Sequence, residues 1–216
     1  MSSVVSLGRL ISVDDWDNSI LIIDLDETLI TCNSFTLWVK YCLFSNDLRL
    51  NFGTLWVMLQ RKILRKNHAK TKNNLQKLWV KFASEKDLKN LIAALQKKIN
   101  PVFEDVLEDI QNGQVVAILA TSAVAIYARG FAEKIGFKYI LATEIDDKEN
   151  RADEKARKVL EFIAEKGWQA RNKIFCTDHL EDLPLMLASD KIIWFGSEND
   201  MNFLRENYQK LDITNA

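Results

Sequence analysis

The sequence is poor in the residues that punctuate or cross-link a chain. Among 216 residues there are 7 glycines and 2 prolines, which argues against long flexible linkers and collagen-like or disordered tracts. The 3 cysteines, Cys32, Cys42 and Cys176, are odd in number and form no CxxC pair. That argues against a disulfide framework or a cysteine zinc site and fits a reducing compartment. The 2 histidines, His68 and His179, have no metal-ligand partner at helical spacing, so a zinc site has no support either. No run reaches the roughly 18 apolar residues a membrane span needs. The most apolar zone, Phe35 to Gln60, is broken by Lys40, Asn46, Asp47, Arg49 and Asn51. Near the N-terminus Arg9 is the only basic residue and no continuous apolar stretch follows, so no secretory signal is read. No internal repeat is visible. The expectation is a soluble, cytoplasmic protein.

What is present describes an ordinary globular chain, 48% apolar and 27% charged. It is long enough for one sizeable core with an inserted subdomain. The net charge of −1 hides an asymmetry. From Lys40 to Lys98 there are 14 Lys and Arg against 3 Asp and Glu, an excess of +11, and the remainder carries −12. Such a split marks parts with different jobs.

The stretch Ser19–Leu29 carries the first chemical signal. An isoleucine-rich run reads as a strand buried on both faces of a parallel sheet. It ends in Asp24, Asp26 and Glu27, acids that repel one another unless a cation sits among them. Ligands in open α/β sheets bind beyond the carboxyl ends of strands, where these acids fall. One reading is an oxygen-ligand Mg²⁺ site with a carboxylate nucleophile. The other is a strand ending in solvated acids that cap a helix.

Downstream, the periodicity is helical from 31 to 99. Asn33 or Ser34 caps a helix through Phe35, Trp38, Val39, Cys42 and Leu43. A second spans Gly53 to Lys66, with Leu55, Trp56, Leu59, Ile63 and Leu64 on one arc and Arg61, Lys62, Arg65 and Lys66 opposite. A third runs near Asn74 to Phe82, and a fourth from Ser84, with Asp87 completing a capping-box pattern, to about Lys98. Asn100-Pro101 starts a further helix that Gly113 ends. Thereafter strands and helices alternate. Strands are expected at Gln114–Ala120, Lys138–Ala142, Asn172–Cys176 and Lys191–Phe195, with helices to Ile135, over Asp153–Lys166, over Glu181–Ala188 and over Glu198–Tyr208. Alternating βα units imply an α/β fold, a Rossmann-like parallel sheet flanked by helices. Residues 1–30 and 100–216 form this core, and 31–99 are an all-helical insertion after the first strand, placed to act as a lid.

Four strand-end features fall in order: Asp24-Leu25-Asp26-Glu27-Thr28, then Ile118-Leu119-Ala120-Thr121, then Lys155 at a helix start, then Asp178 and Asp182 spaced as DxxxD. In this combination the chain resembles the haloacid dehalogenase-like (HAD) superfamily of Mg²⁺-dependent phosphotransferases, over nearly its whole length. The helical insertion resembles that superfamily's C1 cap, and Thr121 through Gly136 resembles its phosphoserine-phosphatase-like branch. The resemblance implies Asp24 as the nucleophile that becomes an aspartyl-phosphate and Asp26 as general acid, then base. It implies Mg²⁺ held by the carboxylates of Asp24 and Asp178 and the main-chain carbonyl of Asp26, with Asp182 binding the metal directly or supporting the site from behind. Thr121, Ser122 and Lys155 would bind the phosphoryl oxygens. Lys158, one turn later, is the alternative lysine. Glu27 stands where glycine is commoner, no glycine flanks the lysine motif, and Ala123-Val124 is less polar than usual, which departs from an amino-acid phosphate as substrate. His179 lines the pocket or points outward, and His68, among Lys and Asn, is expected at the surface. Cap residues Phe35, Trp38 and Tyr41 are expected to face the pocket.

The basic insertion has three readings: a solvated cap packed on its own apolar faces, a lid that concentrates anionic phosphate esters, or a surface that docks an acidic partner or a membrane, as Gly53 to Lys66 has the form of an interfacial helix. Trp38, Trp56 and Trp79 are not regularly interleaved with basic residues, which argues against nucleic acid. The leading expectation is a phosphomonoesterase acting on a small phosphorylated metabolite. The alternative is a non-catalytic module of the same fold that docks a partner through its basic cap. A receiver domain is set aside because the acids and lysine come in the wrong order, and a dehalogenase because it has no need of an acid at position 26.

Overall fold

The computed structural model describes residues 6–10, 18–63 and 67–216. The acidic segment Asp14 to Asp17 and the residues Leu64, Arg65 and Lys66 lie outside them.

Alternation along β1 (Ser19–Ile23) organises the molecule. Ile20 and Ile22 point to one face of the sheet, Leu21 and Ile23 to the other, and all four are fully buried. A strand buried on both sides needs neighbours on both edges and helices on both faces. It pairs in parallel with β2 (Ala117–Val124) and β4 (Asn172–Thr177). The six-stranded parallel sheet runs β3 (Tyr139–Thr143), β2, β1, β4, β5 (Lys191–Trp194), β6 (Ile213–Asn215). The short edge strand β6 had no counterpart in the sequence pattern.

On the Ile20/Ile22 face pack Ala156, Val159 and Ile163 of α8 (Asp153–Glu165), Leu185 and Met186 of α9 (Leu183–Met186), and Met201 and Leu204 of α10 (Glu198–Asn207). On the other face lie Leu7 of α1 (Leu7–Leu10), α6 (Glu104–Gln111) and α7 (Ala125–Lys134). Asn100 caps a short 3₁₀ turn, Pro101–Phe103, that leads into α6. Gly136 ends α7 with φ of 100°, and a Cβ there would lie 2.3 Å from Gln111 Cγ, so this turn admits only glycine.

Between β1 and α6 stand four helices: α2 (Ser34–Leu43), α3 (Leu48–Ile63), α4 (His68–Phe82) and α5 (Glu85–Gln96). Asn33 caps α2, and Ser84 and Asp87 form the capping box of α5. This insert packs on the core through aromatic rings. Trp38 is fully buried, with ring centroids 6.0 Å from Trp79 and 5.6 Å from Tyr127 on α7. No described helix is long and apolar enough to cross a membrane.

Two expectations need correction. β2 does not stop at Ala120: it runs on through Thr121 and Ser122 to Val124, with an irregularity in its pairing to β3 between Ala120 and Val124. A bulge bends the strand without ending it, so the apolar run alone did not show where the helix begins. On α3, the arc Leu55, Trp56, Leu59, Ile63 is exposed, and the buried face is Leu50, Thr54 and Val57. The insert therefore does not use that arc for its own core.

Trp38 ties the insert to the core, so Trp38→Ala is expected to cost about 3–5 kcal/mol through the cavity it leaves. Urea unfolding followed by circular dichroism reads this out. A loss below about 1 kcal/mol would show that the insert packs on the core by other means.

Candidate active site

The sheet ends its central strands against one pocket of about 340 Å³. Asp24 follows the last residue of β1, where its N–H donates to the Cys176 carbonyl of β4 at 3.0 Å, so the sheet itself fixes its backbone. Across the pocket α8 begins after Ala152, whose φ is 49°. The preceding residue but one, Asn150, is fully buried, and its amide donates to the carbonyls of Thr121 (3.0 Å) and Leu141 (2.7 Å). That clamp sets where α8 starts, and hence where Lys155, in its first turn, points.

Lys155 Nζ donates to Asp24 Oδ1 at 2.9 Å and reaches Asp182 Oδ1 at 2.7 Å and Oδ2 at 2.8 Å. Asp182 also accepts from Thr177 Oγ1 at 2.7 Å. All three charged groups are buried. Burial pushes Asp24 up to about 7, against the pull of Lys155, while Asp182 and Asp26 add to the rise. Burial alone would lower Lys155, but the two carboxylates outweigh it and raise it. The lysine is thus held charged as the counter-ion of the site. Lys158, the alternative, pairs with Asp147 at 2.6 Å and does not line the pocket.

Asp26 lies past the strand end, where Ser34 N–H, in the first turn of α2, donates to its Oδ1 at 2.6 Å. A carboxylate at a helix N-terminus meets unpaired N–H groups and the positive end of the dipole. Burial nevertheless raises its pKa, with Ser34 pulling the other way. Asp178 follows β4, accepts from Thr28 Oγ1 at 3.2 Å and is likewise raised by burial. Gly196 has no room for a side chain, since a Cβ would lie 2.2 Å from the Asp178 carbonyl, and that close approach seats the Asp178 loop on β5.

Among the remaining residues singled out in the sequence, Thr121 falls differently from the reading given to it. Thr121 does not line the pocket: its side chain is buried and Oγ1 accepts from Ala123 N–H at 3.0 Å, because the bend in β2 folds the hydroxyl onto its own backbone. Ser122 lines the pocket, and its carbonyl accepts from Thr143 Oγ1 (2.9 Å) and Lys72 Nζ (3.0 Å). Asp182 has its oxygens on Lys155 and Thr177, a geometry that positions the lysine. Glu27 faces the pocket with φ of 56°, a left-handed conformation that explains why glycine suits this position. His179 is at the pocket rim, its side chain 60% exposed and its Nδ1 accepting from Glu181 N–H at 3.1 Å.

His68, expected at the surface, lines the pocket with its ring 5.0 Å from that of Phe35. Of the three aromatic residues expected there, Phe35 lines it, whereas Trp38 and Tyr41 do not. Sequence reasoning missed the wall opposite the carboxylates. Lys72 of α4 is buried and pairs with Glu149 at 2.5 Å, with His68 Nδ1 3.6 Å from the same carboxylate, and Arg151 pairs with Glu181. Lys72 was one lysine in a basic run, and only the threonine and glutamine that share its buried helix face, Thr71 and Gln76, hinted that this segment turns inward.

An all-oxygen donor set opens on the pocket, and burial raises Asp24, Asp26 and Asp178 together. These carboxylates face less positive charge than they would balance. The chemistry fits a hard divalent cation. Among the described residues no group of three or more His, Cys, Asp or Glu side chains converges as a ready cluster. A site made of two carboxylates, one main-chain carbonyl and water has no such cluster to show.

The family model for haloacid dehalogenase-like hydrolases matches residues 21–187. The chain belongs to the haloacid dehalogenase-like hydrolase family. No match was found among curated proteins. Solved structures share the fold at low identity. One is a protein with unknown function from Bordetella pertussis Tohama I (14% identity, TM-score 0.70, covering 91% of this chain and 97% of that one). Another is a probable phosphoserine phosphatase from Vibrio cholerae (12%, TM-score 0.66, 85% and 58%). A third is a phospho-aspartyl intermediate analogue of phosphoserine phosphatase (14%, TM-score 0.55, 91% and 92%). These likenesses extend over sheet and helical insert alike, since each covers 85% or more of the chain.

The Glu149 contacts make the insert sensitive to acid. Despite burial, His68 and Lys72 hold Glu149 down to about 2, below the usual 4.5. A carboxylate depressed on folding stabilises fully above its unfolded pKa, and that contribution is lost as pH falls from about 4.5 towards 2. Its ceiling is about 3 kcal/mol. Glu149→Gln should therefore lower stability at pH 7 and differ little from wild type near pH 2.5, as read by urea unfolding at both pH values. An equal deficit at both would refute the ion-pair origin.

Proposed function

We propose that this protein is a Mg²⁺-dependent phosphomonoesterase that hydrolyses a small phosphorylated metabolite in the cytoplasm. The observation that carries the reading is the buried Lys155 ammonium on Asp24 at the end of the central strand, with Asp26 and Asp178 on the same pocket. Asp24 is the nucleophile: its free oxygen attacks phosphorus, the P–O bond to the alcohol breaks, and an aspartyl-phosphate forms. Asp26, raised by burial and carried on the first turn of α2, holds the proton that the leaving alkoxide takes up, and then removes one from the water that cleaves the acyl-phosphate. Lys155 stabilises the charge on the transferring group, and Asp182 and Thr177 keep its Nζ in place. Asp24 and Asp178, with the Asp26 carbonyl, are the residues that would hold the metal. When bound, Mg²⁺ supplies positive charge to the phosphoryl oxygens and lowers the raised carboxylates.

The opposite wall bears on the substrate. Phe35 and His68, set edge to face, give an aromatic side, and Lys72 and Arg151, each already paired with a glutamate, leave it close to neutral. That favours a compact substrate with a single phosphate over one with a second strong anion.

The test is phosphate release from p-nitrophenyl phosphate and a metabolite panel, with Mg²⁺ or with EDTA. Asp24→Asn keeps shape and removes the nucleophile, so turnover should fall by at least about 10³-fold, and EDTA should have a comparable effect. Activity equal in wild type and Asp24→Asn would refute the mechanism. A wild type that binds Mg²⁺ but hydrolyses nothing would favour the docking module instead.

A further inference from the structure

The exposed face of α3 has no use in the pocket or the core. Leu48, Phe52, Leu55, Trp56, Leu59 and Ile63 each expose between 42% and 68% of their surface. At 100° per residue these six fall on one arc of about 100°, and the buried residues Leu50, Thr54 and Val57 fall on the opposite side. This is a second apolar face on a helix that already has one, continuous over its length. A contiguous exposed arc of six large apolar side chains marks a contact surface.

Charge identifies what the face meets. From Leu48 to Ser84 the sequence holds 9 Lys and Arg and no Asp or Glu. Arg49 and Lys62, both exposed, border the arc on its two sides. Lys77 and Lys81 of α4 line the groove that Trp56 shares. Arg49 is paired with Asp47 at 2.6 Å and Lys77 with Asp146 at 2.6 Å, while Lys81 Nζ sits 5.1 Å from the centre of the Phe82 ring. A second copy of this chain on the same face would bring two basic caps together, which like-charge repulsion opposes. An apolar stripe with an amphipathic tryptophan and basic borders matches the boundary between acyl chains and anionic headgroups.

We propose that α3 is an interfacial helix that docks the cap on an anionic phospholipid surface. The apolar arc enters the acyl boundary, and the flanking lysines lie at headgroup level. The bound molecule stays peripheral.

The experiment is sedimentation of the full chain with phosphatidylcholine vesicles, with and without about 30% phosphatidylglycerol. Wild type should pellet with the anionic vesicles only and be released by high salt. Leu55→Gln/Trp56→Gln/Leu59→Gln removes three exposed anchors and should lower partitioning by about a hundredfold, with circular dichroism and Tm unchanged. Lys62→Glu/Lys81→Glu should weaken binding and flatten the salt dependence. Wild type that stays in the supernatant, or a triple variant that binds as well as wild type, overturns the proposal. So does a concentration-dependent dimer in lipid-free buffer that the triple variant abolishes, which would assign the face to a second copy of the chain.

Discussion

One buried ammonium, Lys155 Nζ between Asp24 and Asp182, is the constraint on which the site depends. Each of these charges would cost several kcal/mol to bury alone, and removing the lysine would leave two buried carboxylates uncompensated. The three come from distant parts of the chain: the end of β1, the start of α8 and the turn after β4. Their meeting requires the parallel β1–β4 register and the Asn150 clamp that places α8. Fold and site are thus coupled through electrostatics as much as through packing. The lysine answers for less negative charge than Asp24, Asp26, Asp178 and Asp182 carry together. That shortfall is the charge that the proposed divalent cation would balance.

The helical insert closes on this floor through a different kind of contact. Trp38, Trp79 and Tyr127 join it to α7 by ring packing, and the Lys72–Glu149 pair joins it to the loop before α8. The first contact is apolar and indifferent to pH. The second is ionic and sits in the wall of the pocket.

Most of the core was legible because its physics is local. The isoleucines of β1 and the alternating apolar strands specify a doubly covered parallel sheet, and Asn33, Ser84 and Asn100 mark helix starts through hydrogen bonds to nearby N–H groups. What misled was not local. The bend in β2 depends on pairing with β3, so Thr121, expected among the phosphoryl-binding residues, is a buried strand residue instead. Lys72 could not be told from its lysine neighbours, because its partner Glu149 is 77 residues away. On α3 the sequence pattern shows an apolar arc correctly, but a wheel cannot say whether another element covers it.

By itself, then, the sequence determined the α/β core, the helical insertion after the first strand and the order of the acids and the lysine. These follow from residue periodicity and from which strand ends carry charge. Only the tertiary structure decided which lysine faces Asp24, which hydroxyls turn away, how the cap's aromatic and ionic residues wall the pocket, and that the apolar face of α3 is left to solvent. Each of those depends on contacts between segments far apart in the chain, which local pattern does not encode.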